Sequence, residues 1–86
     1  VVDPAELRRF ALDLKRFNTN LTQQMQALQG RLQTLGQTWR DQEQVKFTEQ
    51  FEATMKTLNR FTDLAEQHVP FLIRKAEKIE EYLNQR

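Results

Sequence analysis

Apolar residues recur at steps of three and four along nearly the whole chain, a period that admits little except long amphipathic helices. Leu7, Phe10, Leu14, Phe17, Leu21, Met25, Leu28, Leu32, Leu35 and Trp39 form one run. Its steps alternate three and four except for one additional four at Leu21–Met25, a stutter that locally relaxes a left-handed supercoil. Phe51, Met55, Leu58, Thr62, Ala65, Val69, Leu72, Ala76, Ile79 and Leu83 form a second, unbroken run in which Thr62 is the one polar member. Gln is abundant while Val and Ile are sparse, so strands have little to build on.

The helix ends are also written in the sequence. Asp3 is suited to accept from an orphan backbone N–H as N-cap, Pro4 fits the first helical position, and Glu6 can reach back to the cap. A first helix over about residues 4–38 follows, roughly 50 Å long. Asp41-Gln42-Glu43-Gln44 repeats the capping pattern and starts a second helix over about residues 42–86. Pro70 falls inside it. A proline there removes a hydrogen bond and crowds the preceding turn, yet Ala65, Val69, Leu72 and Ala76 keep phase across it, which predicts a kinked continuous helix. The turn, about residues 37–41, is short enough to make the helices antiparallel neighbours. Residues 1–86 thus read as a single helical-hairpin domain, and no internal repeat stands out.

A hairpin is one layer thick, whereas stable domains bury a core between layers. Phe61, Leu64, His68 and Phe71 lie at steps of three, four and three beside the main seam, and Phe47 and Tyr82 extend that flank. Contiguous apolar surface of this kind marks an interaction site. We therefore expect an all-α fold in which the antiparallel two-helix hairpin dimerises into a four-helix bundle, with Phe61, Leu64, His68, Phe71 and Tyr82 at the partner interface. Between Phe17 and Trp39 the only ionised side chain is Arg31. Charge depletion of that kind also fits an interface.

Chemistry is hard to find in the chain. It has no cysteine and no serine, and His68 is its one histidine. The helical neighbours of His68 are Leu64, Phe71 and Leu72, which cannot serve a general base or a metal. Glu77, Glu80 and Glu81 cluster without the Glu-x-x-His pattern of a di-metal bundle. Glu52–Lys56 and Arg60–Asp63 are spaced as surface ion pairs. No catalytic, cofactor-binding or metal site is expected, and the chain reads as a binding protein rather than an enzyme. With 13 basic and 12 acidic residues interleaved along the sequence, neither a nucleic-acid footprint nor a basic interfacial helix is indicated. No apolar run approaches the roughly 18 residues of a membrane span.

At the bend the sequence reads Leu35-Gly36-Gln37-Thr38-Trp39-Arg40-Asp41, with Phe47 following. This resembles the WxG family, the early-secreted-antigen-like proteins associated with type VII secretion. Leu35, Trp39 and Phe47 match the leucine, tryptophan and later aromatic of the family pattern, and the likeness in architecture spans nearly the whole chain. Asp41 stands where the family has glycine, making the turn motif Trp39, Asp41 and Phe47. Tyr82 matches the tyrosine of the family's export signal, but Arg86 replaces the acid four residues on. The resemblance implies a homodimer, or a heterodimer with a homologous hairpin, that is cargo or adaptor for other proteins and is either cytoplasmic or secreted without a cleavable signal peptide. The competing reading is a cytoplasmic coiled-coil scaffold or regulatory module unrelated to secretion.

Overall fold

The computed structural model describes residues 2–85 as two helices and a short bend. Helix α1 runs Pro4–Leu35 and helix α2 Gln42–Asn84. Asp3 caps α1 as expected, its Oδ1 accepting from the Ala5 N–H at 2.9 Å. α2 passes through Pro70 as one continuous helix. Residue 86 of the expected second helix lies outside the described residues.

α1 ends earlier than its apolar period suggests, with Gly36 as its C-cap in a right-handed conformation. The Gly36 N–H donates to Leu32 O at 2.9 Å, and Gln37 and Thr38 bond back in tighter turns to Thr34 O and Leu35 O. Trp39 therefore sits in the bend rather than completing the α1 stripe, although its N–H still reaches Leu35 O at 2.9 Å. At 43 residues against 32, α2 outruns α1. Its last turns have no neighbour, which leaves Leu83 exposed where the stripe placed it in the seam.

In α2 the seam is otherwise the one the period predicts: Met55, Thr62, Ala65, Val69 and Ala76 are buried. α1 differs. Its buried line is Ala11, Asn18 and Met25, at seven-residue spacing, with Leu32 next and half-buried. Leu7, Leu14 and Leu21 are half-buried beside it. Phe10, Phe17, Leu28 and Leu35 turn outward. The stutter thus belongs to the exposed line, whose steps are seven, eleven and seven, and not to the seam. Two or three whole turns separate its members, so they form one straight row.

The hairpin is a rod of 68 × 16 × 15 Å with a radius of gyration of 19.4 Å, against about 12 Å for a compact domain of this length. It exposes 7181 Å², where a compact monomer of its mass would expose about 5,400 Å².

Candidate functional site

Alanine, valine and methionine fill the seam, and five of the six phenylalanines are exposed outside it. Among the described residues no large side chain is fully buried, while Phe10 is 58%, Phe71 53% and Phe61 43% exposed. A tight seam between two helices favours small residues, since they let the backbones approach. The aromatic groups then have nowhere to go but out.

They go to one side. The Phe17 and Phe61 rings meet edge to face at 6.2 Å, which places the outward row of α1 and the apolar flank of α2 on the same face of the hairpin. On α2, Leu64, Phe71 and Tyr82 lie at steps of seven and eleven, and Phe47, Phe61 and His68 at fourteen and seven, so they form two adjacent rows. The result is a front face two helices wide with the large apolar residues of both. It contains all five residues expected at a partner interface, every one of them exposed. The Nδ1 of His68 lies 2.8 Å from Leu64 O of its own helix. Phe10, Phe17, Leu28 and Leu35 belong to the same face and were assigned to the seam in the sequence. Their seven-residue spacing was legible, but period alone does not distinguish two adjacent buried rows.

The turn residues form a second cluster. Trp39 is half-buried and its ring lies 6.0 Å from that of Phe47, which stacks at 6.0 Å on Phe51. This chain of three rings ties the bend to the first turns of α2. Asp41 is the N-cap of α2, its Oδ1 accepting from the Gln44 N–H at 3.0 Å. It holds φ −90° and ψ −176°, and no described residue has positive φ. The bend therefore makes no demand for glycine at this position, and the aspartate adds a hydrogen bond that glycine lacks.

Polar groups interrupt the seam at mid-height. Asn18 is 5% and Thr62 7% exposed. The Asn18 Nδ2 donates to Thr62 O at 3.0 Å, bridging the helices, while its Oδ1 is buried without a partner. Sequence reading counted Asn18 among the charge-poor amides, and only its position seven residues from Ala11 and Met25 signalled burial. A groove of about 360 Å³ lined by Lys15, Asn18, Glu66 and Pro70 opens beside it on the back of the hairpin. At the open end Arg8 pairs with Glu80 across the helices. The expected Glu52–Lys56 and Arg60–Asp63 pairs do not close; the other ion pair among the described residues is Arg16–Asp13 at 3.7 Å.

No group of three or more His, Asp or Glu side chains stands close enough to hold a metal among the described residues. No described helix is long and apolar enough to cross a membrane. Neither the curated proteins nor the solved structures searched contain a match to this chain. A family model does match, over residues 1–82, which is nearly the whole hairpin with its Trp39 bend. The chain belongs to the WXG100 family, proteins of 100 residues with WXG.

Proposed function

We propose that this hairpin pairs through its front face with a second hairpin, another copy or a homologue, and that the pair is cargo or adaptor of a type VII-like secretion system. The observation that carries the pairing is the inverted distribution of bulk, with alanine and methionine inside and phenylalanine outside. The excess surface agrees with it: about 1,800 Å² beyond a compact monomer is ample for a specific interface, which takes about 800 Å² from each partner. Family membership supports the secretion role, since WXG proteins leave through type VII systems without a signal peptide. It also weighs against the unrelated coiled-coil scaffold. Homodimer and four-helix bundle are the simplest form of this reading, because a symmetric pair supplies the missing layer with no further component.

Sedimentation of the purified chain from about 1 μM to about 1 mM, a range spanning some 4 kcal/mol of affinity, tests the pairing. A species of twice the monomer mass that grows with concentration is the expected outcome. A cooperatively melting monomer across the whole range would defeat the homodimer form, because the chain would then be stable with its front face uncovered by a second copy.

A further inference from the structure

The charges of α2 alternate along the sequence but separate around the helix. Lys46, Arg60 and Arg74 lie fourteen residues apart, four turns each, and share one row. Glu49, Asp63 and Glu77 repeat the same spacing, as do Glu52, Glu66 and Glu80. The chain therefore contains a fourteen-residue repeat of cation, acid and acid at i, i+3 and i+6, which the linear reading passed over. Heptad placement sets the two acid rows on the back of the hairpin, alongside the seam. There Glu80 meets Arg8, and Glu66 shares its groove with Lys15. The cation row lies between the outer acid row, whose members follow it at i+3, and the front face, where Lys75 and Lys78 join it around Phe71. All five of these cations are exposed, and none is in an ion pair among the described residues. Of the acids of α2, Glu43 and Glu81 fall outside the two back rows: Glu43 shares the row of Leu64, Phe71 and Lys78, and Glu81 that of the cations, so the rim carries five cations and two acids.

We infer that the hairpin seated on the front face is one with an acidic rim along its own second helix, rather than another copy of this chain. This rests on the front-face pairing proposed above and names the partner it selects. Two copies can stack face to face in two ways. With bends at opposite ends, the rim of α2 meets the rim of the other α2, so two surfaces of net positive charge face each other. With bends at the same end it meets α1. Arg8 touches Glu80, so Glu6 and Asp13 stand level with the last third of α2 and could face Arg74, Lys75 and Lys78. Opposite Lys46 and Arg60, however, that edge of α1 has Arg31 as its one charged side chain. Neither arrangement matches the rim along its length. An acidic rim on the partner does, and like charges brought together at an interface are a recognised means of excluding the wrong partner.

Two variants test this, and all four altered positions are exposed, so the fold should survive; circular dichroism checks that it does. In one, Arg60, Arg74, Lys75 and Lys78 are all changed to Gln. In the other, the same four are changed to Glu, giving an acidic-rimmed hairpin as probe. At about 0.1 M salt, where charges act over about 10 Å, the Gln variant should pair with itself at least about tenfold more tightly than the parent. The gap should close at about 1 M salt, where the range falls to about 3 Å. The parent mixed with the Glu variant should form a mixed pair at least about tenfold tighter than the parent's own pair. A parent that pairs with itself as tightly as the Gln variant does, or a mixed pair no tighter than the parent's, overturns the inference and leaves the front-face reading intact. Absence of association in every sample up to about 1 mM overturns both. Loss of binding to phosphatidylserine vesicles in the Gln variant, with pairing unchanged, would assign the rim to a lipid surface and also overturn it.

Discussion

The seam and the front face of this hairpin use their side chains in opposite ways. The seam is narrow, built on Ala11, Met25, Ala65 and Ala76, and crossed at mid-height by Asn18 and Thr62. The front face is broad and carries phenylalanine from both helices in open water. Burial stabilises in proportion to apolar area removed from water, about 25 cal/mol per Å². A seam of small residues therefore holds the helices side by side but contributes little per residue. The larger stabilisation would come from the partner proposed to cover the face. On the pairing proposed above, the two surfaces of one rod have different tasks: one sets the shape, the other completes the protein.

The sharpest way to break this contrast is a charge on the face. Phe61→Asp or Phe71→Asp should weaken pairing by at least about 100-fold, about 3 kcal/mol, since a carboxylate would be buried unpaired. Lys56→Asp, in the acidic back rows, should change pairing little. Equal effects at all three positions, read by sedimentation, would show that the face has no special standing.

Trp39→Ala asks whether the bend belongs with the seam or with the face. A fully buried tryptophan is worth about 3–5 kcal/mol, and one half-buried against Phe47 about 2 kcal/mol. We expect a lower melting temperature, with pairing reduced only in proportion. Native melting together with lost pairing would make Trp39 a recognition residue. For the seam itself, Asn18→Leu should raise stability by about 1 kcal/mol, because it removes an unsatisfied buried oxygen. A fall in the urea midpoint would instead show that the Asn18–Thr62 bridge holds the helices in register. The smallest effect is at the cap: Asp41→Ala should cost about 1 kcal/mol of stability and leave pairing unaffected. A change in pairing without a change in stability would contradict the capping role.

Helix content, the two caps and the seam of α2 were legible in the sequence because each is local. A period of seven and an acid before a helix are signals carried by neighbouring residues. The seam of α1 was half hidden. Phe10 and Phe17 outweigh Ala11 and Asn18 on any hydrophobicity scale, so an apolar stripe is drawn through the residues that face out. Close packing of two backbones rewards smallness, which such a scale does not register. The exposed apolar flank of α2, which we propose as the interface, was legible because its residues stood beside a complete stripe. The charge pattern was missed for a geometric reason: Lys46, Arg60 and Arg74 stand far apart in a line and share one row only when wound on a helix.

Asp41 has a further consequence. A turn that depends on a left-handed backbone angle tolerates little but glycine, whereas this one depends on a side-chain oxygen two atoms from the main chain. Asn, Ser and Thr carry an oxygen at comparable reach and cap helices nearly as well. The bend is thus free to drift among four residue types without changing shape, provided Trp39 and Phe47 keep their contact. Searches that rely on the glycine would overlook chains bearing any of the other three, although the hairpins they encode would be built in the same way.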